Sequence, residues 1–148
     1  MARTRDFTQP TRTERLFNGV IGFLVRFGVG PGHMRVLEVR GRKSGRTYTL
    51  PVDLLTLGGK LYLVAPRGRT QWVRNVEAQG EVVLRRGSRT DRYTFRALTA
   101  EEKPPVLKAY LDSYKAEVQQ FFPVKAGSPV ASFAALADDY PAFELFAG

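Results

Sequence analysis

The sequence contains no cysteine. Disulfides, thiolate metal sites and cysteine nucleophiles are therefore excluded. It contains one histidine, His33, too few for a histidine-rich site, so no metal is expected. A triad built on that histidine would need a well-placed serine, and no G-x-S-x-G occurs. Long apolar runs are also scarce. LFNGVIGFLVRFGVG (residues 16–30) is broken by Asn18 and Arg26 and is shorter than the roughly 18–20 residues of a membrane span. No signal peptide is expected, because the basic start carries a carboxylate, Asp6, before any apolar stretch. The expected location is cytoplasmic. Acidic residues are few: 14 against 23 Lys and Arg, a net charge of +9 and a pI near 10.3. That excess implies an anionic partner, whether nucleic acid, an acidic membrane surface or a polyanionic small molecule.

What is present suits one globular domain over residues 1–148, with 43% hydrophobic and 11% aromatic residues and a flexible start at 1–10. Thr11 and Glu14 form a T-x-x-E helix start. Leu16, Phe17, Val20, Ile21, Leu24 and Phe27 then recur at helical spacing. The pattern predicts a helix over 11–27, stopped by Gly28, Gly30, Pro31 and Gly32. Its apolar face is expected to cover the core. Peripheral membrane contact is the alternative, since Arg5, Arg12, Arg15 and Arg26 flank it.

Strands are expected at 34–40, 48–57, 60–66, 81–87 and 91–98, from alternation and β-branched residues. Pro51 lacks an N–H and belongs at an edge or a bulge. Gly58-Gly59 marks a hairpin. A short helix is predicted over 70–80. A second T-x-x-E, Thr99 to Glu102, opens a helix carrying Val106, Leu107, Tyr110, Leu111 and Tyr114; the early Pro104 and Pro105 make Pro104 the alternative start. Ser128-Pro129 starts a further helix through about Asp138, so 100–148 reads as a mostly helical segment. Phe143, Leu145 and Phe146 give the tail an apolar anchor. The fold class is α+β, mainly β: a small barrel of about five to six mostly antiparallel strands with flanking helices.

Two tempting motifs fail on context. GVGPG (28–32) follows a helix and precedes a strand, the reverse of a dinucleotide fingerprint. GRKSG (41–45) lacks the glycine before the lysine and the long helix that a P-loop requires. RGRKSGR (40–46) nevertheless places Arg40, Arg42, Lys43 and Arg46 around Gly41, Ser44 and Gly45 with no acid among them. The glycines permit positive φ, so N–H groups can converge on an anion, and the cations can grip phosphate or carboxylate. APRGRTQWVRN (65–75) adds Arg67, Arg69 and Arg74, a glycine turn at Gly68, and Trp72 with Asn75 on one helix face. An indole and an amide beside a glycine turn suit a planar heteroaromatic ring with a polar chain.

VRGRKSGRTYTLPV, LVAPRGRTQWVRN and EVVLRRGSR, in that order, resemble the deazaflavin (coenzyme F420)-dependent oxidoreductase family, the nitroreductase-like group. Its F420-using members share G-R-K-S/T-G, a proline in the next strand, a glycine turn after the third strand, and W-x-x-N. The resemblance covers about residues 36–110. Here the glycine turn is Pro66-Arg67-Gly68-Arg69, and the stretch before Trp72 is shorter than in many members.

The resemblance implies a split β-barrel related to flavin-mononucleotide (FMN)-binding barrels. It implies that Arg42, Lys43, Ser44, Gly45 and Arg46 hold the phosphate and acidic tail, with Pro51 in the adjoining strand. Ala65, Pro66, Arg67 and Gly68 would border the ring, and Trp72 and Asn75 would anchor the chain beside it. The implied activity is hydride transfer between F420 and a small organic acceptor, as in nitroreductases and quinone reductases. A deazaflavin carries its own hydride chemistry, which suits a chain with no triad. Tyr110 and Tyr114 are candidate proton donors by chemistry, and core packing is the competing role for both. His33 is expected to be structural. The alternatives are a barrel that binds FMN or a fatty acid without redox activity, and a basic nucleic-acid module. No nucleic-acid motif is present, so no nucleic-acid partner is expected. The assembly is a monomer or a homodimer.

Overall fold

The computed structural model describes residues 32–147. The expected helix over 11–27 and the start at 1–10 lie outside the described residues. Seven strands form one antiparallel sheet: β1 Met34–Arg40, β2 Thr47–Asp53, β3 Leu55–Leu57, β4 Lys60–Val64, β5 Val82–Arg86, β6 Arg89–Ala97 and β7 Ala142–Ala147. The helices are α1 Gln71–Gln79, α2 Lys103–Val118 and α3 Ala131–Ala134.

The sheet order is β2-β1-β5-β6-β7-β4-β3. Its two outer strands, β2 and β3, are consecutive in the chain and separated only by Leu54. One extended run therefore pairs with β1 before Leu54 and with β4 after it. That exchange of partners curls the sheet into a half-barrel. Pro51 lies on β2, an outer strand, opposite Val36, where a missing N–H breaks no second ladder. Gly58 and Gly59, both at positive φ (59° and 77°), close the β3–β4 hairpin. That conformation suits a tight two-residue turn and favours glycine at both places.

Two apolar clusters hold the described residues together. Leu37, Val39, Val73, Val76, Val82, Leu84 and Phe143 fill the space between the curled sheet and α1. Leu55, Tyr62, Leu107, Leu111, Phe133 and Tyr140 join α2 and α3 to the other side of the sheet. Helix α2 begins at Lys103 with Glu102 as its N-cap and prolines in its first turn, nearer the Pro104 start than the Thr99 one. The Glu102 carboxylate accepts from the Thr99 N–H (2.9 Å), and the Glu102 N–H points to Thr99 Oγ1 (3.3 Å). The two together brace the turn that leads into the helix.

Three expectations change. Seven strands replace five to six, partly because the 48–57 run is divided at Leu54. The tail read as an anchor is β7, which inserts between β6 and β4. The segment from 100 onward is thus not helical to its end. The helix expected through Asp138 shrinks to α3 and a 3₁₀ turn at Ala137–Asp139. Phe133 and Tyr140 bury there without a long amphipathic face, so a short turn suffices.

Candidate coenzyme site

The β1–β2 turn carries the basic motif. Its ends are tied by the Gly41 N–H to Arg46 O (2.7 Å) and the Gly45 N–H to Gly41 O (2.9 Å). Gly45 has φ 73°, the left-handed conformation that glycine adopts freely. Gly41 is needed for a different reason from the one expected. Its φ is not positive, but a Cβ there would come within 2.7 Å of Ser44 Oγ and 2.8 Å of the Tyr48 ring. Ser44 Oγ accepts from the Arg46 N–H (3.2 Å) and so braces the turn from inside.

The turn docks on α1. Asn75, nearly buried, accepts from the Arg42 N–H (3.1 Å) and from Arg42 Nη1 (2.7 Å). Arg42 Nη1 also reaches Gln71 Oε1 (2.9 Å), and Gln79 Oε1 accepts from the Arg40 N–H (2.8 Å). One face of α1 thus holds the backbone of the basic turn. GRKSG and W-x-x-N, separate in sequence, become one structure. Asn75 spends its carbonyl on Arg42, a role that its spacing from Trp72 did not reveal.

The seven cations of the two motifs are not equivalent. Arg69 is paired with Glu77 (2.7 Å). The Arg67 guanidinium lies over the ring of Phe121, in the 3₁₀ turn that follows α2, 4.5 Å from its centroid. Arg42 is held by neutral amide oxygens that leave its charge uncompensated. Lys43 and Arg46 are exposed, and their side chains have no partner among the described residues. These three cations on one short turn would repel one another, and an anion would relieve that repulsion.

Ala65 is buried in the inner cluster, with its N–H on Pro141 O (2.8 Å). Pro66 is half-buried, and Gly68, at φ 84°, turns the chain toward α1. Trp72 is half-buried against the inner cluster. Thr70 caps α1 in position but not in bonding, for its Oγ1 is buried without a hydrogen bond. A buried orphan hydroxyl is costly and marks a place where a ligand group can serve.

Tyr110 is buried among Tyr114 and Phe122, and burial holds its phenol well above the usual range. Tyr114 is half-buried, donates to Leu54 O (2.9 Å) and stacks on the His33 ring (4.2 Å between centroids). His33 in turn meets two carboxylates, Asp53 (3.2 Å) and Glu117 (3.3 Å). Burial, then the charge and hydrogen bond of Glu117, push the Asp53 carboxyl well above the usual carboxylate range. This cluster was not legible beforehand, because its members are far apart in the chain.

An antiparallel half-barrel bearing a cationic glycine turn on a tryptophan-bearing helix is a split barrel with a turn suited to an anionic ligand. The chain belongs to the F420H(2)-dependent quinone reductase family, whose model matches residues 7–124. Its cofactor is coenzyme F420. Among solved structures it is similar to an F420-H2 dependent reductase (FDR-A), with 23% identity, 78% of this chain and 95% of that one covered, and a TM-score of 0.51. It is also similar to a protein described as a domain-swapped dimer, with 23% identity, 91% and 94% coverage and a TM-score of 0.54. A heme binding protein from Mycobacterium smegmatis shares the fold at 12% identity, with 95% and 52% coverage and a TM-score of 0.53. No curated protein matches the chain. No helix among the described residues is long and apolar enough to cross a membrane.

Proposed function

We propose that the chain reduces a quinone or a chemically similar small acceptor at the expense of reduced F420. Arg42, Lys43, Ser44, Gly45 and Arg46 would hold the coenzyme's phosphate and acidic tail. The observation that carries this reading is the docking of the turn on α1 through Asn75, which fixes the turn and leaves Lys43 and Arg46 open to solvent. The donor set fits the group: several cations, a hydroxyl and a glycine-built loop suit a phosphate followed by carboxylates. FMN has the phosphate but no such tail, and it gives that many cations less to do.

When bound, the deazaflavin supplies hydride from its own ring carbon. The protein's share is to orient and to exclude water. Pro51, Ala65, Pro66, Gly68, Trp72 and the Thr70 hydroxyl would border the ring. Arg67 belongs with them by position in the chain, although its side chain turns toward Phe121. Reducing a quinone also takes a proton. Tyr114 suits that role better than Tyr110, because it is half-buried rather than enclosed. Burial, then the charges of Asp53 and Glu117, raise its phenol pKa, so it keeps its proton near neutral pH.

The test is oxidation of reduced F420 by a soluble quinone with purified protein, followed by the absorbance of the oxidised deazaflavin. Turnover that needs both partners supports the reading. Turnover with reduced FMN in its place, and none with F420, would overturn it. A nitroaromatic acceptor in the same assay decides between the two acceptor classes. A homodimer in the cytoplasm is the assembly we favour, in line with the neighbour described as a domain-swapped dimer, and light scattering checks it. Vesicle sedimentation checks peripheral membrane contact through residues 11–27.

A further inference from the structure

We propose that His33, Asp53 and Glu117 form a binding site for a divalent transition-metal ion of the zinc type, at the end of the β1–β2 hairpin remote from the basic turn. His33 Nε2 lies 3.2 Å from Asp53 Oδ1 and 3.3 Å from Glu117 Oε1, and one donor atom from each residue lies within 4.8 Å of the others. Four ligands at bonds near 2.1 Å around zinc stand about 3.4 Å apart along a tetrahedral edge. Both separations from the imidazole are close to that edge.

A second observation points to a missing ligand. The Asp53 side chain is only 9% exposed, and its Oδ1 is buried without a hydrogen bond while facing the imidazole nitrogen. A buried carboxylate oxygen with no donor is costly, and a bound cation would satisfy it. His33 and Glu117 keep 26% and 35% exposure, which leaves an entry path and room for a fourth, solvent ligand.

The framework around the three residues is fixed. The Leu54 N–H donates to His33 O (2.8 Å), and Met34 pairs with Asp53, so the two strand ends are held together. Tyr114 departs from helical geometry (φ −123°, ψ 29°) within α2, one turn before Glu117. Its ring stacks on the imidazole at 22°. The stack limits rotation of the imidazole and keeps Nε2 toward the two carboxylates. One nitrogen and two carboxylate oxygens favour zinc or its first-row neighbours over magnesium and calcium, which prefer all-oxygen sets. The ion would clamp α2 to the β1–β2 hairpin.

The test uses the full-length chain, stripped with a chelator and free of coenzyme, so its outcome is independent of the F420 reading. Zinc is titrated against a chromophoric chelator near neutral pH. The expected result is one equivalent bound, with at least a tenfold loss of affinity in Asp53→Asn and in His33→Gln, and no loss in Arg42→Ala. Magnesium in excess should not compete. The chain has a single histidine, so its imidazole proton signals report on the site without any mutation. They should shift with stoichiometric zinc and broaden with cobalt(II). Signals that follow pH but ignore both metals would show a protonated His33 bridging two carboxylates and would overturn the proposal. So would zinc binding that is undiminished in both substituted proteins.

Discussion

At one end of the β1–β2 hairpin, Arg40 faces Thr47 and the cations of the turn stand in solvent. At the other, Met34 faces Asp53, and two carboxylates and an imidazole pack beside Tyr114. The two ends are six register steps apart, roughly 20 Å at strand spacing. Both concentrate charge of one sign, but they pay for it differently. Water screens the exposed cations, so the turn can wait for its anion at little cost. The Asp53 carboxylate is withdrawn from water, so that end favours a proton or a cation beside it. A solvated cluster is suited to capture of a large anion, and a partly buried one to holding a small cation.

The largest expected effect tests whether the solvated end grips a ligand. Arg42→Ala or Lys43→Ala removes a charge-assisted bond worth about 1.5–3 kcal/mol, so F420 affinity should fall roughly 10- to 100-fold. Turnover at saturation should change less, because the turn holds the tail and not the reacting ring. Arg40→Ala should stay within a few-fold of the parent. Equal losses at all three positions, read by fluorescence titration, would describe a diffuse basic surface instead.

Asn75→Ala asks whether the turn is held or merely nearby. It removes the acceptor shared by two Arg42 donors and should cost about 1–3 kcal/mol in urea denaturation. It should also weaken F420 binding without removing any charge. An unchanged affinity would mean that the turn needs no docking to work.

A smaller effect separates the two glycines. Gly45→Ala meets no neighbour but must hold a left-handed conformation, costing roughly 1–2 kcal/mol. Gly41→Ala has an allowed backbone, but its Cβ must displace Ser44 Oγ and the Tyr48 ring. Gly45→Ala should therefore lower stability, while Gly41→Ala should act mainly on F420 affinity by moving Ser44. The same effect from both substitutions in thermal melts and titrations would erase the distinction.

The smallest effect lies away from both ends, at the cap of α2. Hydrogen bonds from Arg96, then from the Thr99 N–H, hold the Glu102 carboxyl down at about 2. A depressed carboxyl stabilises the fold above its unfolded pKa. That contribution should disappear as pH falls through 4.5 toward 2. Glu102→Gln should flatten this part of the stability profile in acid melts by lowering stability slightly at neutral pH, where the contribution is present, and by leaving the most acid region nearly unchanged.

Much of the fold could be read from local pattern. Alternation marked β1, β4, β5 and β6, the paired glycines marked the β3–β4 turn, and Pro51 pointed to an outer strand. The break at Leu54 was not legible, since no glycine or turn pair marks it and only the exchange of pairing partner divides the run. β7 was missed because its partners, β4 and β6, lie far back in the chain. At the site, the basic turn and the tryptophan helix were each visible, but their union through Arg42 and Asn75 was not. Side-chain spacing along a helix says which residues share a face and not what that face meets. The acidic cluster left no local trace, with His33 and Glu117 84 residues apart.

The central claim is that the β1–β2 turn, docked on α1, receives the anionic end of F420. Its most direct measurement is the affinity of the purified chain for F420 species of increasing glutamate number, at low and high salt, beside FMN. The account predicts affinity that rises with tail length, falls with salt, exceeds that for FMN, and loses its tail dependence in a Lys43→Ala, Arg46→Ala double variant. Affinity indifferent to tail length, or tighter binding of FMN, would contradict it.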